Sequence, residues 1–188
     1  MGQPSPHFFL AVPLPAHVRE ILERQAGQLR AKLPYKVWPH PQDYHITLVF
    51  LGAAGFQKVN EIKQRVAQTA KCCSSFTATL NGLGTFGKRK QPRVLWAGVS
   101  AGEELYDLQN KVAGACRSAG FETDARPYKP HITLAKTWAG TEVLDEKIFL
   151  SGPESVSWKV EEMALYQTHL RRNPKYQPLK IFPLFDDE

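Results

Sequence analysis

The sequence predicts an α+β body with two similar halves, and three observations carry that prediction. A four-residue segment occurs twice, as His45-Ile46-Thr47-Leu48 and His131-Ile132-Thr133-Leu134. Strand-like apolar runs and helix-period segments are intermixed along the chain, and a helix is followed by the repeated strand in each half. No Gly-, Ser- or Pro-rich linker is long enough to divide the chain, so residues 1–188 are expected to form a single domain.

His7 to Val12 is aromatic and aliphatic and is closed by Pro13, the pattern of a buried strand. Between Pro15 and Leu33 the residues Val18, Ile21, Leu22, Leu29 and Leu33 recur at helical steps, leaving Arg19, Glu20, Glu23 and Arg24 for solvent. A stretch containing Pro34, Pro39 and Pro41 follows, and then Tyr44 to Leu51, apolar and β-branched, reads as a strand ended by Gly52. Val59, Ile62, Val66, Ala70 and Cys73 mark a second helix. Phe76 to Leu83 and Arg93 to Val99 predict a hairpin around a Gly- and Lys-rich loop. Leu105, Leu108, Val112, Ala115 and Ala119 predict a third helix stopped by Gly120, ahead of a strand over His131 to Lys136. Val156 to Tyr166 and Tyr176 to Phe185 complete the strands, with a turn at Arg171-Arg172-Asn173-Pro174.

Composition bounds the function. Apolar residues make up 43% and charged residues 22% of 188, a globular profile. There is no 20-residue apolar run and no export signal, and Pro6 stands where an acylation motif needs Ser or Thr, so a cytoplasmic protein without a membrane anchor is expected. The three cysteines, Cys72, Cys73 and Cys116, make neither a disulfide framework nor a Cys-x-x-Cys pair. Lys and Arg exceed Asp and Glu by 24 to 18, which favours polyanionic partners without identifying one. Gly84-Thr85-Phe86-Gly87-Lys88 has two residues between its glycines where a phosphate-binding P-loop has four, and Arg89 follows the Lys, which disfavours ATP-driven chemistry. His7, His40 and His169 lack the repeated context, and no His/Cys/Asp/Glu spacing reads as a metal site, so no cofactor is expected.

The duplicated tetrapeptide carries the chemistry. A second copy of a given tetrapeptide arises by chance with a probability on the order of one in a thousand in a chain this long. Strand alternation puts each His and the Thr two positions on along one face, and the Ile and Leu on the other. If the two halves face each other across a groove, His45, Thr47, His131 and Thr133 converge. Opening a phosphodiester needs a base for the attacking oxygen, an acid for the leaving oxygen and donors for the remaining oxygens. Two imidazoles near their ordinary pKa and two hydroxyls meet that list without a metal. The competing reading is two ordinary β-strands in which Thr serves propensity.

These motifs resemble the two His-x-Thr/Ser signatures of the 2H phosphoesterases, and among them the bacterial RNA 2′,3′-cyclic phosphodiesterases, formerly called 2′-5′ RNA ligases. The resemblance extends to Phe8-Phe9-Leu10-Ala11 with Pro13, Phe50-Leu51-Gly52, Arg93-Val94-Leu95-Trp96, Arg126-Pro127-Tyr128-Lys129-Pro130 and Tyr176-Gln177-Pro178-Leu179. It implies a bilobal fold, with antiparallel sheets lining a central cleft and helices outside. It also implies hydrolysis of a terminal 2′,3′-cyclic phosphate to a 2′-phosphate without a metal, His45 serving as acid and His131 as base. The family usually has Arg where Lys136 stands, which keeps the charge and loses bidentate phosphate contact.

Arg126 and Lys136, flanking the second motif, are candidates to hold an RNA backbone, with a solvated surface role as the alternative. Phe50 is a candidate to stack a base, as the resemblance hints, whereas alternation from His45 puts it on the core side. Lys88-Arg89-Lys90 with Arg93, and Arg171-Arg172 with Lys175, are basic loops that either grip a longer RNA or are ordinary charged turns. The expected partner is RNA or a nucleotide ending in a cyclic phosphate, bound by a monomer. Two further readings remain: a module that binds phosphate ends without turnover, and reversible joining of RNA ends by a 2′-5′ bond.

Overall fold

Residues 6–185 are described by a computed structural model of the chain. Strand β1 (His7–Pro13) is an unbroken apolar run because it lies inside a four-stranded sheet with both faces covered, and Phe8, Phe9, Leu10, Ala11 and Val12 are all buried. Helix α1 (Ala16–Arg30) follows, burying Val18, Leu22, Ala26 and Leu29 along one stripe. After strand β2 (Tyr35–Val37) and a 3₁₀ turn at Pro41–Asp43, strand β3 (His45–Ala53) carries the first tetrapeptide. Helix α2 (Phe56–Ala70) and the hairpin of β4 (Phe76–Gly87) and β5 (Pro92–Ser100) come next. Helix α3 (Glu104–Ser118) precedes β6 (His131–Trp138), which carries the second tetrapeptide. The chain closes with β7 (Ser157–Val160), β8 (Glu162–Thr168) and β9 (Tyr176–Pro183).

The strands form two antiparallel sheets, ordered β3-β1-β8-β9 and β2-β6-β5-β4-β7. One histidine motif therefore lies in each sheet, and β3 and β6 approach each other where the sheets meet. Helices α2 and α3 pack together and against β9 and β3, while α1 reaches β6. The expected α+β architecture with duplicated halves is what the chain forms. No helix among the described residues is long and apolar enough to cross a membrane.

Three sequence expectations are corrected. The proline stretch before the first motif contains β2 and the 3₁₀ turn, both too short to produce a periodicity. Val156 to Tyr166 is two strands: β7 pairs with β4 in one sheet and β8 with β1 in the other, and the chain crosses at exposed Glu161. A corner of one residue leaves the alternation nearly intact and has no Gly or Pro to mark it. The third correction is Phe50, which is 68% exposed and not in the core. Leu48 is skipped in the pairing of β3 with β1, between Leu10↔Val49 and Ala11↔Thr47, so the strand bulges there and the facing of the next residues is reversed.

The same device recurs in the second motif. Leu134 is skipped between Leu95↔Ala135 and Trp96↔Thr133, and the bulge turns Lys136 away from the core. Phe50 and Lys136 are thus equivalent positions, each five residues after a motif histidine. Close packing beside the second motif depends on a glycine: a Cβ on Gly84 would lie 2.1 Å from the ring of Trp96, so only glycine lets that indole cross β4.

Candidate active site

Both motif histidines are pinned by the backbone two residues before them. His45 Nδ1 lies 2.7 Å from the carbonyl of Asp43, and His131 Nδ1 lies 2.7 Å from the carbonyl of Lys129. A carbonyl only accepts, so each Nδ1 carries the proton and donates it, leaving Nε2 as the titrating nitrogen of each ring. Thr47 Oγ1 is 3.0 Å from His45 Nε2 and donates to it while the ring is neutral. His45, Thr47, His131, Thr133, Phe50 and Lys136 line a single cavity of about 420 Å³ at the meeting of the sheets. The four residues expected from the repeat are therefore brought together.

Aromatic side chains set the planes of the two rings. Phe9 lies 4.8 Å from His45 and Tyr176 meets it edge-on at 5.2 Å. Across the cleft Phe86 stands edge-on to His131 at 4.9 Å and Trp96 lies 6.1 Å from it. Burial, the largest influence, depresses His45 to about 4, with Lys136 and His131 pushing the same way and the Asp43 carbonyl and carboxylate opposing. His131 is also lowered, chiefly by burial and then by Lys136 and Lys129, against the Lys129 carbonyl. Both rings are thus neutral in an empty cleft near neutral pH. An anion between them favours the imidazolium forms and must raise both pKa values. Histidine ring resonances followed by NMR are expected to titrate near 4 for His45 and below 6.5 for His131, and to move upward on adding inorganic phosphate. A His45 midpoint at 6.5 would contradict this account.

Sequence reasoning missed several residues that build the site. Asp43 is the buried charged side chain among the described residues, 5% exposed, and its carboxylate accepts from the backbone N–H groups of Lys175 and Tyr176 at 3.0 Å. Tyr128 Oη donates to the Thr47 carbonyl at 3.0 Å, and Gln109 Nε2 to the Leu48 carbonyl at 3.4 Å, so residues of the second half satisfy the bulged backbone of the first. The available signal was proximity: Asp43, Tyr128 and Lys129 lie within three residues of a motif histidine.

The other candidates divide. Lys136 lines the cavity that holds both histidines, and Arg126 does not. Arg126 lines an adjoining compartment of about 690 Å³ and is ion-paired with Asp124, both exposed. Phe50 lines both compartments, as do Thr47, Phe86, Arg93 and His131. Arg89 of the basic loop pairs with Glu146 at 2.6 Å. His40 accepts from the N–H of Gln42, and His169 bonds Gln177, both outside the cleft. Among the described residues no group of three or more His, Cys, Asp or Glu is arranged to hold a metal.

Comparison with known proteins follows the same lines. The model of the 2′-5′ RNA ligase superfamily matches residues 8–172. An RNA 2′,3′-cyclic phosphodiesterase of Geobacillus stearothermophilus is 39% identical over 179 residues, covering 95% of this chain and 57% of that protein, so the chain spans little more than half of that relative. The protein of the same name from Bacillus subtilis is 36% identical over 180 residues, covering 95% of this chain and 97% of the relative. Among solved structures, E. coli LigT complexed with 3′-AMP has a TM-score of 0.78 at 27% identity, covering 98% of this chain and all of LigT. TT0787 of Thermus thermophilus has a TM-score of 0.79 at 27% identity, covering 97% of this chain and all of that one.

Proposed function

This chain belongs to the 2′-5′ RNA ligase superfamily, and we propose from that membership and the cleft geometry that it hydrolyses RNA terminal 2′,3′-cyclic phosphates to 2′-phosphates without a metal. The observation that carries the reading is the paired arrangement of His45 and His131, each with Nδ1 spent on a backbone carbonyl and Nε2 left to exchange a proton.

In this reading the cyclic phosphate sits between the rings. His131 Nε2 takes a proton from water as the water oxygen attacks phosphorus. The P–O3′ bond breaks, and His45 Nε2–H protonates the departing 3′ oxygen, leaving a 3′-hydroxyl and a 2′-phosphate. Solvent restores the two protonation states. Thr47 and Thr133 donate to the non-bridging oxygens, whose charge grows as water adds. His45, the more depressed ring, becomes an effective acid only when the phosphate anion raises its proton affinity, which couples its charging to substrate binding. Phe50 and Phe86 face the space beside the phosphate and offer flat surfaces to a base.

The test is incubation of the purified protein, with excess chelator and no ATP, with an RNA oligonucleotide ending in a 2′,3′-cyclic phosphate. A 2′-phosphate product is expected. A cyclic end left intact despite measurable binding would overturn hydrolysis and leave a module that holds phosphate ends. Joining of RNA ends by a 2′-5′ bond is the same ester chemistry reversed, and bulk water drives it toward hydrolysis.

A further inference from the structure

The cations around the cleft fall into two sets that differ in what they already hold. In the larger compartment Arg126 is paired with Asp124, and the Lys129 ammonium lies over the Trp96 ring at 4.6 Å and 5.9 Å from Phe86. Arg93 on β5, Lys136 on β6 and Lys175 ahead of β9, by contrast, have no carboxylate within ion-pair distance among the described residues. Arg93, next to the cross-strand partner Val94 of Lys136, and Lys136 itself both line the cavity that contains the two histidines. Lys175 is fixed beside them through its backbone N–H, which Asp43 accepts at 3.0 Å, next to Tyr176 in the same cavity wall. After partial burial, the charges of Lys175 and Arg93 are what lower the proton affinity of Lys136, so the three cations share one electrostatic neighbourhood.

Three cations exceed the need of the reacting group. A cyclic phosphodiester carries one negative charge, and an imidazolium with two threonine hydroxyls already complements it. Asp43 offsets one of the remaining charges, but its carboxylate is buried and occupied by N–H groups. A surplus of positive charge without a carboxylate partner among the described residues is left beside the two histidines.

We propose that Arg93, Lys136 and Lys175 form an anion subsite for a second phosphate, the one on the 5′ oxygen of the nucleotide whose cyclic phosphate lies between the histidines. This rests on the function proposed above and narrows its substrate class. An RNA end or a 5′-phosphorylated nucleoside 2′,3′-cyclic phosphate fills both sites, whereas the plain nucleoside cyclic phosphate fills one. Phe50 and Phe86, which line both compartments, are left to the base.

The test compares cytidine 2′,3′-cyclic phosphate with its 5′-phosphorylated form. The wild-type kcat/KM is expected to favour the 5′-phosphorylated substrate roughly tenfold or more, and Lys175→Met and Arg93→Met each to bring that ratio toward one. A wild-type ratio near one, or variants that leave the ratio unchanged, would overturn the subsite while leaving hydrolysis intact. If neither substrate is opened, the function proposed above fails, and calorimetric binding of cytidine 2′,5′-bisphosphate against cytidine 2′-phosphate decides the subsite by itself. The bisphosphate must bind about tenfold tighter, and Lys175→Met must abolish that advantage; equal binding rejects the subsite.

Discussion

Alanine at His45 or at His131 is expected to lower kcat on a cyclic phosphate end by roughly 10²–10⁴-fold, the range a positioned acid or base contributes. Each ring is held by a backbone carbonyl on one nitrogen and walled by aromatic side chains, so truncation removes the proton-transferring nitrogen without removing a strut of the fold. Binding of a nucleoside 2′-phosphate, measured separately, is expected to change far less than turnover. Because the two rings act in one step, the double variant should be little slower than the worse single variant. The residual rates also assign the roles. If His45 is the acid, the rate left in His131→Ala rises as pH falls toward the His45 pKa. The rate left in His45→Ala falls as His131 takes up its proton. The opposite pair of slopes would exchange the roles, and activity within tenfold of the wild type in either variant would remove that residue from the mechanism.

The repeat could be read from sequence because alternation holds where a strand is regular. Across His45-Ile46-Thr47 and His131-Ile132-Thr133 the period of two is undisturbed, and the imidazoles and hydroxyls lie on the faces that period assigns. It fails one residue later in both strands, at Leu48 and Leu134, because a bulge is a pairing event with the neighbouring strand and leaves no mark in composition. That single slip is why Phe50, which alternation from His45 assigns to the core side, is exposed. The helices were legible because each buries a stripe of apolar residues at helical steps, as Val59, Ile62, Val66 and Ala70 do in α2. Residues that act through hydrogen bonds to distant backbone left no local pattern. Tyr128 reaches the Thr47 carbonyl across 81 positions, and Asp43 reaches Lys175 across 132. The pairing of Arg126 with Asp124, only two residues away, was also out of reach, since a charge two positions off in a loop reads equally well as solvated.

Asp43→Ala is expected to be the most destabilising of the polar substitutions near the cleft, by about 2 kcal/mol, and to slow the enzyme as well. Its carboxylate takes the N–H groups of Lys175 and Tyr176, and without it those donors face a site in which Asp43 was only 5% exposed. An unsatisfied buried donor costs about 1–3 kcal/mol, partly offset here by relief from burying a charge. The same contact holds the start of β9, whose Tyr176 ring stands edge-on to His45 at 5.2 Å, so loosening it frees one wall of the imidazole. Asp43→Asn separates the two effects. The amide keeps the shape and one acceptor oxygen but loses the negative charge, which opposes the desolvation of His45. Its removal must lower the His45 pKa further below about 4, and a weaker proton affinity means a smaller protonated fraction at the pH of turnover. Urea unfolding should therefore show a large loss for Asp43→Ala and a smaller one for Asp43→Asn, while both lower kcat. The NMR titration of His45 should move down in Asp43→Asn. An unfolding midpoint equal to wild type for Asp43→Ala would mean that water replaces the carboxylate at no cost. An unmoved His45 titration in Asp43→Asn would mean that the carboxylate acts on the ring through position alone.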